Sequence, residues 1–212
     1  MTRPRLTYCS NIHPAEGWDE VRRALAAHAP GVKARVCPDD SFPLGLWLSH
    51  LALAQCEADD DPEPFEGWLR DEGCHVLALN GFPFGAFHHG TVKSRVYLPD
   101  WRDPRRADHT CRLATLLDRW LPDGEPGSIS TVPLGWGPHL AGEDLSLVEG
   151  NVALALEHLD RLRQRSGKQI MLALEPEPGC RLQRTDDVVA FFQGLTLRDN
   201  LRELLGDRKS VV

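Results

Sequence analysis

The chain has 212 residues, 42% of them apolar and 26% charged, with a formal net charge of -7. That balance argues against a disordered chain. It also argues against a nucleic-acid partner, which would need clustered Lys and Arg to displace counterions. Six cysteines stand singly with no C-x-x-C pair, as expected for free thiols in a reducing cytosol.

The start, MTRPRLTYCSNIHP, reaches polar residues and a proline before any apolar run long enough for a signal peptide. The first predicted strand covers 6–11, and a helix follows in which Trp18, Val21 and Leu25 share a face. A second strand covers 44–48. The apolar stretch around it, PLGLWLSHLALAQC, is broken by Ser49 and His50 and falls short of the ~20 residues a membrane span needs. A third strand, 75–80, runs into a long loop rich in Gly, Pro, His and aromatic residues. The helix of 104–121 then places Ala107, Cys111, Ala114 and Leu117 together. Strand four covers 128–132, followed by a helix with Val148, Val152, Ala155, Leu159 and Leu162 on one stripe. Strand five covers 169–175, and Thr185 with Asp186 and Asp187 opens a last helix.

Strands alternating with helices, without hairpin signals, imply an α/β fold with parallel strands. A doubly wound sheet and a (β/α)8 barrel both fit that pattern. The first loop lacks G-x-G-x-x-G, and the loops at the strand carboxyl ends are rich in site-type residues, which favours the barrel. Strand starts recur about every 41 residues, so eight units need roughly 330 residues. The expectation is therefore the N-terminal five βα units of a (β/α)8 barrel, an incomplete barrel forming a single domain over 1–206. The tail 207–212, DRKSVV, matches a common sequencing-adapter sequence translated in frame and is set aside as non-native; a natural charged tail is the alternative. Five strands would leave two unpaired edges and uncovered apolar faces, so poor behaviour in solution is expected.

Alternation along strand five puts Met171, Ala173 and Glu175 on one face and Ile170, Leu172 and Leu174 on the other, turning Glu175 inward at the mouth. The same parity groups Asn11 with His13, and Val76 with Ala78 and Asn80. A mouth gathering Asn11, His13, Asn80 and Glu175 suits a divalent metal or proton transfer beside a carbonyl. Glu175 and His13 are the candidate catalytic residues. Asn11, Asn80, His88, Lys93, Trp101 and Trp136 are the candidate substrate contacts, with His89 and Arg95 beside them. Plainer readings stand next to these. Glu175 could cap a turn, His13 anchor a loop, His88 and Lys93 be solvated, and Trp101 and Trp136 close a core. Glu177 reads as a surface turn residue. After Glu177 the chain has no His, and its acids fall in predicted helices or the tail. The remaining ligands of a metal site are therefore expected on strands six to eight.

The segments LTYCSNIHPAEGWDEV, LNGFPFGAFHHGTVKSRVYLPDW, GSISTVPLGW and LALEPEPGC together resemble the EboE family, the metabolite traffic proteins of the ebo gene cluster, within the xylose isomerase-like TIM-barrel superfamily. The likeness extends to about Leu205. It implies that Glu175, in LEPEP, matches a divalent-metal ligand (Mn, Mg or Zn) of that superfamily, while later Asp, His and Glu ligands have no counterpart here. It further implies a cytoplasmic protein that handles a small secondary-metabolite precursor together with other ebo-cluster proteins. Three activities are open: metal-dependent isomerase or epimerase chemistry on a sugar or polyol, binding without turnover, and a divalent-metal endonuclease, which the acidic balance disfavours.

Overall fold

The computed structural model describes residues 6–59, 63–85, 93–143 and 145–196. Five strands, β1 Tyr8–Cys9, β2 Phe42–Trp47, β3 Cys74–Asn80, β4 Gly127–Thr131 and β5 Ile170–Leu174, pair in parallel in the order β1-β2-β3-β4-β5. All five predicted strands are present. Their order never reverses, as it must in a doubly wound sheet. Among the described residues the helices are α1 Trp18–Val36, α2 His50–Glu57, α3 Glu63–Asp71, α4 Pro104–Trp120, the single turn α5 Gly137–Leu140, α6 Ser146–Ser166 and α7 Thr185–Thr196. The result is an α/β protein built on a parallel five-stranded sheet. No helix among the described residues is long and apolar enough to cross a membrane.

Local chemistry sets the helix ends. Asp103 caps α4 by accepting the Arg105 N–H at 3.0 Å, with Pro104 in the first turn, where its missing N–H costs nothing. Ser49 caps α2 by accepting the Ala52 N–H at 3.0 Å. Gly167, at φ 76°, ends α6 in the left-handed conformation that favours glycine. At the start of α7 the Asp187 carboxylate accepts the Arg184 and Gln183 N–H groups.

The parallel register sorts side chains into rows. Leu46, Leu79, Ile129 and Leu172 align across β2 to β5, all buried against the helices. Burying each is worth about 1.5–3 kcal/mol. The opposite face carries a lower row of Cys9, Gly45, Ala78, Ser128 and Met171, and an upper row of Trp47, Asn80, Ser130 and Ala173. These rows mix small, polar and larger apolar residues. A Cβ added at position 45 would meet Cys9 Sγ at 3.2 Å, so that side chain would have to give by a few tenths of an ångström.

One register expectation is corrected. Leu44 pairs with Val76 but Gly45 pairs with Ala78, so Leu77 is an extra residue in β3. The bulge resets the alternation and moves Val76 to the helix-facing row beside Leu44, while Ala78 and Asn80 stay on the open face.

Candidate functional site

The carboxyl ends of β3, β4 and β5 carry Asn80, Ser130 and Glu175 in turn. Asn80 Oδ1 accepts the Phe82 N–H at 3.0 Å and the Ser130 hydroxyl at 3.2 Å, and Glu175 follows β5 on the far side of Ser130. Burial of Ile170, Leu172 and Leu174 against the helices turns Glu175 to the other face, and its own N–H extends the ladder to Thr131 O at 3.1 Å. Burial raises the Glu175 carboxyl above the usual range; the neighbouring Ser130 hydroxyl opposes this and the nearby Glu177 charge adds to it.

A second set of contacts ties the surrounding loops together. The Tyr97 hydroxyl donates to Glu177 Oε2 at 2.7 Å, and the Tyr97 ring stacks on Trp136 at 5.4 Å. Trp136 lies over Gly179 so closely that a Cβ there would sit 2.5 Å from the indole, and Gly179 also needs a φ of +83°. Glycine is required on both counts. Gly137 N–H to Gly179 O (2.9 Å) and Arg181 N–H to Gly135 O (3.0 Å) complete the joint between the loops after β4 and β5. Glu177, read from sequence as a surface turn residue, is thus a half-buried bonding partner. Asp100 is buried and paired with Arg102 at 2.7 Å, and Arg102 reaches His139 O at 2.9 Å, which joins the loop before α4 to the same assembly. Leu134 holds a φ of 68°, unusual for a side chain of this size, and its carbonyl accepts the Trp101 N–H.

The loop after β3 is fastened from beneath. Arg106 Nη1 donates to Gly81 O (2.6 Å) and Phe82 O (3.1 Å), and its Nε donates to Pro99 O (2.8 Å). Trp47 Nε1 donates to Pro83 O at 3.0 Å, and the Phe84 ring packs on His50 at 4.7 Å and His109 at 4.9 Å. These groups hold Asn80 and the turn that follows it.

Of the residues expected from sequence, Asn80 and Glu175 lie at the ends of β3 and β5, with Ser130, which was not expected, on the strand between them. His13 does not join them. It bonds the Tyr8 hydroxyl at 2.5 Å and stacks on His28 of α1 at 4.3 Å, beside the opposite edge of the sheet. Tyr8 is in the row of Leu44, so the imidazole is drawn to the helix side, away from the mouth as first assigned. Asn11 is half-buried in the 3-10 turn Ser10–Ile12 after β1. Trp101 is fully buried, its carbonyl accepting Asn151 Nδ2 at 2.8 Å, so it closes the core and offers no face to a ligand. Trp136 packs on the loop after β5. Arg95 is exposed in the turn Lys93–Tyr97. The Lys93 side chain, His88, His89 and the tail 207–212 lie outside the described residues.

On the strand beside Glu175 stands Ser130, whose hydroxyl donates to an amide oxygen already accepting the Phe82 N–H, and burial raises the Glu175 carboxyl. Among the described residues no group of three or more His, Cys, Asp or Glu is placed to hold a metal ion. Comparison with known protein families, with curated proteins and with solved structures finds no match to this chain.

Proposed function

We propose that the chain forms five consecutive units of a xylose isomerase-like (β/α)8 barrel and handles a small, oxygen-rich metabolite at the strand carboxyl ends, in the manner that its resemblance to the EboE family implies. The observation carrying this reading is the Ser130–Asn80 hydrogen bond, with Glu175 at the next strand end, across three adjacent strands. Sequential parallel strands support the barrel, since that winding brings successive carboxyl ends to one rim. Asn80 Oδ1 is fully engaged, while the described contacts leave its NH2 group available to a ligand oxygen. A carboxyl held towards its neutral form suits an uncharged sugar or polyol better than an anion. Binding and presentation to partner proteins needs no further group, whereas isomerase or epimerase chemistry would need metal ligands that the described residues do not place beside Glu175.

Calorimetry with xylose, xylulose and myo-inositol in EDTA tests the reading. At least one of these should bind saturably, and Asn80→Ala and Glu175→Ala should each weaken it by at least about tenfold, a loss of about 1.4 kcal/mol. Binding that appears only with Mn2+, and disappears in Glu175→Gln, would replace this reading with the metal-dependent one. No binding to any of the three under either condition would overturn both.

A further inference from the structure

The helix α6 is anchored from within by Val148, Val152, Ala155, Leu159 and Leu162, all buried. A helix covered on one side should turn polar residues outwards. The first half of α6 does not. Leu147 is 64% exposed and Leu154 53%, and their spacing of seven, two helical turns, sets them on one line along the outer face, with half-buried Gly150 and Asn151 between them. Single exposed leucines are ordinary, but an aligned pair makes a patch. Among the described residues no other helix exposes two large apolar side chains.

The charges beside this patch are sorted by sign. Glu143 is exposed in the turn just before α6. Beyond Leu154, on the same outer line, stands Arg161, 63% exposed and paired with Glu157 only at 4.0 Å, a surface contact worth little. Arg165 follows one turn later and is also largely exposed.

We propose that the outer face of α6 is a self-complementary docking surface on which a second copy of this chain packs its own α6, antiparallel, about a two-fold axis at Gly150–Asn151. In that arrangement Leu147 of each copy falls opposite Leu154 of the other. Gly150 has no Cβ, and nothing lies within 4 Å of the place one would take, so the two helices can approach closely there. Arg161 of each copy then lies over the turn that carries Glu143 of the other, and the opposed helix dipoles add to the attraction. One geometry therefore satisfies the apolar pair and both charged ends, as an isologous contact requires.

A few turns of helix from each copy bury less than the ~1,200 Å2 of lasting complexes, so dimer and monomer exchange. Because α6 returns between the parallel strands β4 and β5, it runs against them, and antiparallel α6 helices turn the two strand-end rims in opposite directions. Both rims stay open. The contact uses none of Asn80, Ser130 and Glu175, so it stands or falls apart from the ligand reading.

Sedimentation velocity on the full chain, at concentrations on the order of 1–100 μM, tests the proposal. The average mass should rise from one chain towards two and level off there. Leu154→Glu leaves the core untouched and should weaken self-association at least about tenfold, because a carboxylate is then set against apolar surface. Arg161→Glu and Glu143→Arg should each weaken it by about threefold or more, and the double variant should recover it, since the reversed pair attracts again. A chain that stays monomeric throughout overturns the proposal, and so does association that runs past the dimer. Association that Leu154→Glu leaves unchanged also overturns it and would assign the contact to an open strand edge. Failure of the double variant to recover would exclude the antiparallel pairing, and the proposal with it.

Discussion

Arg106→Met should lower the unfolding free energy by about 2–4 kcal/mol, because two opposing contributions are large and unequal. Arg106 is fully buried near the start of α4, and desolvation pulls its guanidinium down to about 10, against the partial support of Asp100 and Asp103. Removing the charge recovers that burial cost, on the order of 3 kcal/mol. It also orphans the Gly81, Phe82 and Pro99 carbonyls at roughly 1–3 kcal/mol each and removes the cation that lies 5.8 Å from the Phe84 ring. The carbonyls outweigh the charge. Arg106→Lys is the more telling variant: an ammonium keeps the burial cost but cannot span three carbonyls from one planar fork, so it should be no more stable than the methionine variant. Urea denaturation measures the loss, and amide exchange at Gly81 and Phe82 should quicken in both variants, since their turn loses its fastening. A loss under 1 kcal/mol for Arg106→Met, with unchanged exchange, would mean that Arg106 does not hold the Asn80 turn.

The same region shows which features of the chain were legible in advance. Strands with bulky residues on one parity, such as Ile170, Leu172 and Leu174, announce both themselves and the direction of the next residue, so the orientation of Glu175 could be read. Ser130 could have been found by the same parity, since it is the β4 residue level with Asn80 and Ala173, but SISTV reads first as small and β-branched strand filler. The Leu77 bulge was hidden because HVLALN alternates smoothly and contains no glycine to mark the extra residue. In α4 the predicted face correctly held Ala107, Ala114 and Leu117. Arg106, His109 and Thr110 are buried as well, because the helix is covered by β3, β4 and α6 on more than one side, and composition cannot show that a polar residue has found carbonyls. The departure of His13 from the mouth depends on His28, a partner fifteen positions away on another element, which no local pattern encodes.

His109→Phe should flatten the acid limb of the stability curve. His109 lies beside Arg106 in the core, 1% exposed, with no hydrogen-bond partner at either ring nitrogen. Burial, reinforced by Arg106, Arg112 and His50, pushes its imidazole down to about 3. In the unfolded chain the same imidazole takes up a proton near pH 6.5. Its contribution to stability is therefore complete above pH 6.5 and is lost progressively as pH falls towards 3, at about 1.4 kcal/mol per pH unit once the unfolded imidazole is protonated. Asp103 and Asp187 are held below the usual carboxylate range, Asp103 chiefly by the Arg105 side chain and Asp187 by backbone N–H groups, so they lose stability only at still lower pH. His158, lowered by partial burial, and Glu175, raised by burial, are common to the two proteins and cancel in the difference. Between pH 6.5 and 4.5 the wild-type protein should thus lose about 2–3 kcal/mol more than His109→Phe. At pH 7.5 the two should lie close together, because the phenyl ring keeps the contact with Phe84 and removes two unbonded nitrogens from the core. Urea midpoints at half-unit pH steps give the comparison. Parallel curves for the two proteins across that window would show that His109 does not stay neutral in the fold.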